Sequence, residues 1–174
     1  QLRMKEAPRA EIVTVGTALR RITQGTQTAF IVNDDPSIAA EVGADGVHVG
    51  QDDMLVADVR RNYPELGIVG LSTHNLEQVR AAVGQCPDYI GVGPVFATPT
   101  KKIPDPVLGT ETAGRMIASV PFPAVAIGGI DFGTLPSVLA AGARNWAVVR
   151  AVCGSSAPYD AIRRLQEIAA QTNA

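Results

Sequence analysis

Residues 91–102 read Gly91-Val92-Gly93-Pro94-Val95-Phe96-Ala97-Thr98-Pro99-Thr100-Lys101-Lys102. An apolar strand, Asp88 to Val92, runs into Gly-Pro and then into a loop with two hydroxyls and two ammonium groups. Lys supplies charge, and Thr hydroxyls and backbone N–H groups supply directed hydrogen bonds, so such a loop suits phosphate oxygens. The same composition also describes a solvated surface turn. What favours the first reading is that other strand ends in this chain carry polar, ligand-type residues too.

Working outward, the same pattern recurs on both sides. Upstream, Gln1 to Lys5 alternates polar and apolar, like the end of a strand with Gln1, Arg3 and Lys5 on one side. Pro8 breaks it, and Thr17 to Thr23 reads as a helix closed by Gly25. Thr28 to Val32 is a strand ending in Asn33-Asp34-Asp35, and Pro36 opens a helix that Gly43 ends. Asp45 to Val49 is a strand ending in Gly50-Gln51-Asp52-Asp53, followed by a helix from Leu55 to Asn62. Gly67 to Leu71 is a strand followed by Ser72-Thr73-His74-Asn75, and Leu76 to Val83 is helical.

Downstream, residues 103–109 read as an irregular loop, and Thr110 to Ser119 as a helix with Thr110 at its cap. Ala124 to Ile127 is a strand that ends in Gly128-Gly129-Ile130, and Asp131 caps a helix through about Ala140. Asn145 to Val149 is a strand running into Arg150-Ala151-Val152, and Tyr159 to about Gln171 is an amphipathic helix. A faint repeat marks the helix-to-strand joints: Gly43-Ala44-Asp45, Cys86-Pro87-Asp88 and Gly142-Ala143-Arg144.

Short apolar strands separated by helices predict a parallel sheet covered on both faces. Polar residues after nearly every strand favour a (β/α)8 TIM barrel over an open doubly wound sheet, which gathers its ligands at one switch point. Gly128-Gly129, after the next-to-last strand, stands where such barrels commonly hold a phosphate. Six strands plus the stub at Gln1 leave the barrel short of its first β/α unit. The expectation is that upstream residues, or another element, complete it, because an open barrel exposes strand edges. With no linker or composition break, residues 1–174 are expected to form a single domain.

The totals narrow the function. Net charge is −2, which gives no basic field for nucleic acid or an anionic membrane. No apolar run reaches the roughly 18 residues of a membrane span, and no secretory signal is seen. Cys86 and Cys153 are far apart, without CxxC or zinc spacing, so buried or free thiols in a reducing cytoplasm are expected.

At the rim, Asp34 and Asp53 each stand just past a strand, and those strands are expected to be neighbours. Paired carboxylates there suit Mg²⁺, which keeps waters and bridges to a diphosphate; each alone also reads as a helix N-cap. Gly128-Gly129 lets backbone N–H groups approach an anion at a helix start, or is a plain tight turn. Ser72 reads as a substrate contact, with a capping role for Thr73 or Asn75 nearby equally open. His74 reads as an exposed loop residue and carries no assigned acid–base role. His48 reads as structural, and Tyr89 and Trp146 as packing residues.

Six motifs, in order, carry a resemblance. Gln1-Leu2-Arg3-x-Lys5, Asn33-Asp34, Gly46-Val47-His48-Val49-Gly50-Gln51-x-Asp53, Gly70-Leu71-Ser72-Thr73-His74, the segment from Gly91 to Lys102, and Ile127-Gly128-Gly129-Ile130 resemble the pattern of the thiamine-phosphate synthase family. The resemblance implies a (β/α)8 barrel that joins a hydroxymethylpyrimidine diphosphate to a thiazole phosphate, releasing pyrophosphate. It implies that Gln1, Arg3, Lys5, Asn33 and Lys101 hold the pyrimidine diphosphate, and that Asp34 and Asp53 hold Mg²⁺. It implies Ser72 at the reacting centre with Lys101, and Thr98, Thr100 and the Gly129 backbone on the thiazole phosphate. Arg150, Ala151 and Val152 complete the substrate-binding set. Partners are these small molecules, with no nucleic acid or membrane and a homodimer as one option.

Many members of that family have Ser where this chain has Arg150, whose side chain adds a phosphate contact or crowds the pocket. Two rivals remain. A thiazole tautomerase resembles the same pattern with His in place of Pro94, and Pro94 transfers no proton. A non-catalytic regulatory barrel that binds phosphate ligands has less use for carboxylates facing a lysine.

Overall fold

The computed structural model describes residues 1–100 and 105–172. The chain alternates helix and strand throughout: α1 Arg9–Thr23, β1 Ile31–Asn33, α2 Pro36–Glu41, β2 Gly46–Val49, α3 Val56–Asn62, β3 Ile68–Thr73, α4 Leu76–Gln85, β4 Tyr89–Val92, α5 Gly109–Ala118, β5 Ala124–Ala126, α6 Leu135–Ala140, β6 Asn145–Trp146, α7 Arg150–Cys153 and α8 Pro158–Thr172. This is an α/β fold whose six strands follow one another in chain order. Two compact units are described separately: Gln1–Ser72 with Gly84–Tyr89, and Thr73–Val83 with Ile90–Ala174.

In the first unit β1, β2 and β3 pair in parallel, with Asn33 opposite His48 and His48 opposite Gly70. All four residues of β2 are buried, as expected of a parallel strand covered on both faces. Leu2 sits beside β1: its N–H donates to Ile31 O at 2.9 Å, and Asn33 N–H donates to Leu2 O at 3.0 Å. The strand-end reading of Gln1 to Lys5 therefore holds as one parallel bridge to Val32. Helix α1 begins at Arg9, eight residues before the expected Thr17, because Pro8 both ends the extended stretch and serves as its N-cap residue. Asp35 caps α2, its Oδ1 accepting from the N–H groups of Ser37 at 2.8 Å and Ile38 at 3.0 Å.

The faint repeat has a physical basis. At the first joint Asp45 N–H donates to Phe30 O at 2.9 Å, while Asp45 Oδ2 accepts from Phe30 N–H at 2.7 Å. Arg20 of α1 reaches both oxygens of Asp45 at 3.0 Å. At the second, Asp88 N–H donates to Val69 O at 2.8 Å, its Oδ2 accepts from Val69 N–H at 2.6 Å, and Arg60 of α3 lies 3.1 Å away. At these two joints one Asp thus locks the incoming strand to the start of the strand before it and to the helix that precedes that earlier strand. Asp45→Ala leaves the Phe30 N–H and the Arg20 guanidinium without that acceptor and is expected to cost about 2–3 kcal/mol, the range for hydrogen bonds to a charged group. The urea midpoint measures it; Asp45→Asn, which keeps an acceptor oxygen, should lose clearly less.

In the second unit β4 pairs with β5, and β5 with β6, in parallel. Ile90, Val92, Ala124 and Ala126 are buried in these strands, as are Met116, Leu135, Val138 and Leu165 on the helices. Several boundaries differ from expectation. β6 stops at Trp146, not Val149, and residues 150–153 are helical. Thr110 is not a cap: the cap residue of α5 is Leu108, with Gly109 entering at a φ of +71°. Thr73 lies inside β3 and donates to Gly91 O at 2.9 Å, leaving Asn75 to cap α4 by accepting from Gln78 N–H at 2.9 Å. Cys86 and Cys153 are exposed and unbridged. Among the described residues no helix is long and apolar enough to cross a membrane.

Candidate functional site

In the first unit the pairing of β1 with β2 brings Asp34 and Asp53 together. Asp34 leaves β1 with a φ of +69°, a conformation Asp tolerates better than most residues, and its N–H donates to His48 O at 2.8 Å. Asp53 follows β2, and its Oδ2 accepts from Gly50 N–H at 2.7 Å. The two carboxylates lie within hydrogen-bonding reach of each other. Burial first, then the charge of Asp34 and the hydrogen bond to it, push the Asp53 carboxyl above its usual range, against the Gly50 N–H and Lys5. Lys5 Nζ stands 2.9 Å from Asp34 Oδ2.

The alternative reading of these aspartates as helix caps is overturned. Asp35, not Asp34, caps α2, and the cap residue of α3 is Leu55, which makes no side-chain cap bond. Two half-buried carboxylates that repel one another are a donor set a hard cation relieves. Among the described residues no group of three or more His, Cys, Asp or Glu gathers to hold a metal.

Ser72 lies inside β3, not after it, and its Oγ is 2.8 Å from His48 Nε2. Its carbonyl accepts from Gln51 Nε2 at 2.6 Å. His48 Nδ1 in turn lies 2.9 Å from the Tyr89 hydroxyl, which also bonds the Gln1 side chain. Burial pushes the Tyr89 hydroxyl up to about 12, with the Gln1 bond pulling the other way. His48 is buried and Tyr89 half-buried, with their rings packed on one another as those of a structural and a packing residue are, and they are also polar partners of two candidate site residues. The available signal was one polar residue inside an otherwise apolar strand. Asn33 directly precedes Asp34 in sequence, and both it and Arg3 are half-buried.

In the second unit Thr98 and Thr100 come together, with hydroxyl oxygens 3.0 Å apart and Thr100 N–H donating to Thr98 Oγ1 at 3.3 Å. A cleft of about 530 Å³ opens beside them, lined by Pro94, Ala97, Thr98, Asp105 and Val107 among others. Gly128 and Gly129 follow β5 with φ of +99° and +66°. Val95 N–H donates to Ile127 O at 2.9 Å and Phe96 N–H to Gly128 O at 3.0 Å, which ties the start of the Thr98 loop to this turn. The turn is not at a helix start as expected: α6 begins only at Leu135. Asp131 instead caps the intervening turn, accepting from Gly133 N–H at 2.9 Å and Thr134 N–H at 3.0 Å.

Arg150, Ala151 and Val152 form the first turn of α7. Val152 N–H is engaged by Val149 O at 3.2 Å. The Thr134 N–H bond, chiefly, and more weakly the charge of Arg150, hold the Asp131 carboxyl below its usual range, so Arg150 stands electrostatically close to the glycine turn. His74 is half-buried, not exposed: its Nδ1 lies 2.6 Å from Gly93 O and 3.7 Å from Asp105. Lys101 and Lys102 lie outside the described residues.

The family model described as "Thiamine monophosphate synthase" matches residues 1–152. The thiamine-phosphate synthase of Gloeobacter violaceus is 44% identical over 158 residues, which is 91% of this chain and 46% of that protein. This chain therefore spans about half the length of that relative. The thiamine-phosphate synthase of Laribacter hongkongensis is 40% identical over 172 residues, covering 99% of this chain and 81% of that protein. The solved structure of thiamine phosphate pyrophosphorylase from Pyrococcus furiosus superposes with a TM-score of 0.88 at 34% identity, over 97% of this chain and 81% of that one. Motif order, fold and relatives agree, and the chain belongs to the thiamine monophosphate synthase family, transferase enzymes of thiamine biosynthesis.

Proposed function

We propose that this chain joins 4-amino-2-methyl-5-hydroxymethylpyrimidine diphosphate to 4-methyl-5-(2-hydroxyethyl)thiazole phosphate, giving thiamine phosphate and pyrophosphate. The observation that carries the reading is the Asp34–Asp53 pair with Lys5 2.9 Å from Asp34. The six strands in chain order and the 0.88 TM-score support a (β/α)8 barrel.

Asp34 and Asp53 would hold Mg²⁺, which when bound neutralises charge on the departing diphosphate. Lys5 and Arg3, with Gln1 and Asn33, bind and orient the diphosphate substrate, and Lys101 adds a further cation. Thr98, Thr100 and the Gly129 backbone, with the backbone at Arg150 and Ala151, receive the thiazole phosphate. An electron-rich aminopyrimidine can shed pyrophosphate to leave a stabilised cation, which the thiazole nitrogen attacks. The C–O bond to diphosphate breaks, the new C–N bond forms, and both electrons of the old bond leave with pyrophosphate. No strong base is needed, so the residues contribute charge neutralisation and proximity. Ser72 stands at the reacting centre as a hydrogen-bonding group.

The test is direct. The purified chain is mixed with both substrates and Mg²⁺, and thiamine phosphate is sought by mass spectrometry. The expected outcome is a product peak that EDTA abolishes and added Mg²⁺ restores. A folded chain that binds both substrates without making product would sink the proposal in favour of a phosphate-binding regulatory protein.

A further inference from the structure

We infer that Gln1, Tyr89 and His48 form a hydrogen-bond relay that orients the Ser72 hydroxyl as a donor toward an acceptor oxygen or nitrogen of the substrate. The inference deepens the proposed function and rests on its placement of Ser72. His48 is a positioning residue here, acting through Ser72 and not on substrate.

In the relay the Gln1 amide N–H donates to the Tyr89 hydroxyl oxygen, to which the Gln1 side chain is hydrogen-bonded. The Tyr89 O–H is then left to donate to His48 Nδ1, 2.9 Å away. With Nδ1 accepting, a neutral imidazole carries its proton on Nε2. Nε2–H donates to Ser72 Oγ at 2.8 Å. An oxygen that accepts from His48 directs its own hydrogen elsewhere. Gln51 on the Ser72 carbonyl holds the neighbouring backbone at 2.6 Å. Ser72 is therefore set to donate, which suits a group on which negative charge grows as a bond to pyrophosphate breaks.

The backbone makes room for this arrangement at one position. Gly70 stands opposite His48 in the β2–β3 register. A Cβ at residue 70 would lie 2.3 Å from Tyr89 Cζ and 2.5 Å from both His48 Nδ1 and the Tyr89 hydroxyl. Any side chain there would enter the His48–Tyr89 hydrogen bond itself. The two rings, tilted by 35° with centroids 5.3 Å apart, occupy the space that Gly70 vacates.

Two readouts on the full chain test the relay. The first is nitrogen-15 NMR of the histidine rings at neutral pH, where this chain has only two histidines to assign. The expected result is His48 in the Nε2–H form, shifting toward a mixture of tautomers in Tyr89→Phe. An Nδ1–H ring in the unaltered protein, or a tautomer indifferent to Tyr89→Phe, overturns the relay. This readout holds whether or not the chain makes thiamine phosphate.

The second is kinetic. Tyr89→Phe should lower kcat about fivefold, the worth of one hydrogen bond, with both KM values nearly unchanged. His48→Leu should lose about as much kcat as Ser72→Ala, roughly 10²-fold, and the double variant no more than Ser72→Ala alone. His48→Gln, whose amide can present an N–H near the place of Nε2, should recover part of the loss. Losses that multiply in the double variant, or that follow the melting temperature instead of the substitution at Ser72, overturn the inference. If Ser72→Ala alone leaves kcat intact, the placement of Ser72 at the reacting centre fails, and the NMR result still decides the relay.

Discussion

Asp53→Ala is expected to reduce thiamine phosphate formation by about 10²–10³-fold, the scale of removing one preorganised electrostatic element from a charge-developing reaction. The substitution removes one of two carboxylates that face each other past β1 and β2, leaving Asp34 tied to Lys5 at 2.9 Å. A single carboxylate beside an ammonium group has no net charge to offer a divalent ion.

The pH dependence has a definite sign. Burial and the neighbouring Asp34 raise the folded-state Asp53 carboxyl above its ordinary value. Without a cation, the stability that goes with this raised value is present below the ordinary carboxylate range. It is lost as pH rises through the folded-state value. Mg²⁺ favours the ionised form, so the stabilisation it confers should grow over that same rise. Thermal melts with and without Mg²⁺, from acidic to neutral pH, measure the difference. Asp53→Asn should melt slightly higher than the unaltered chain without Mg²⁺. The gain is about 0.5 kcal/mol, small because solvent screens a pair that is only half-buried. It should also lose the Mg²⁺ increment. An Asp53→Asn protein with full activity and an unchanged Mg²⁺ shift would remove Asp53 from the metal site.

The second large effect is expected at Gly128. Its φ is +99°, and a Cβ there would stand 2.5 Å from Pro94 Cα and 2.6 Å from Pro94 Cβ. Gly142 has nearly the same φ, +95°, with nothing within 4 Å of its added Cβ. The pair separates two costs that usually come together. Gly142→Ala should cost about 1–2 kcal/mol for the left-handed backbone alone. Gly128→Ala adds a collision with backbone that cannot swing aside, and should cost about 3 kcal/mol or more. Urea denaturation of both variants reads the difference directly.

Gly128→Ala should also raise KM for the thiazole phosphate about tenfold at a temperature where it remains folded, since one hydrogen bond to a charged group has that worth. The reason is that Phe96 N–H donates to Gly128 O at 3.0 Å, so displacing the turn displaces the Thr98 loop as well. Equal losses of stability in the two alanine variants would show that the close approach to Pro94 is not what the turn requires.

Much of this was legible in the chain itself. Strand and helix alternation, the six strands and the order of the polar strand ends came from apolar periodicity and from Gly and Pro punctuation, which act over a few residues. The neighbourhood of Asp34 and Asp53 was legible for the same reason: successive parallel strands place their ends side by side. Helix limits were less legible. Thr110 and Asp131 look alike as caps, yet only local backbone geometry decides whether a helix or a turn follows.

What the amino-acid order determined by itself was the α/β architecture, the polar residues at successive strand ends and the family resemblance, because each is written in spacing along the chain. What only the tertiary structure decided was which aspartate caps and which stays available, and that His48 bonds Ser72 and Tyr89. Asp34 and Asp35 are adjacent in sequence and differ only in the direction their backbones give them. His48, Ser72 and Tyr89 meet across three strands because Gly70 leaves the space. Such a contact depends on strand register and on an absent side chain, and neither is a property of any one segment.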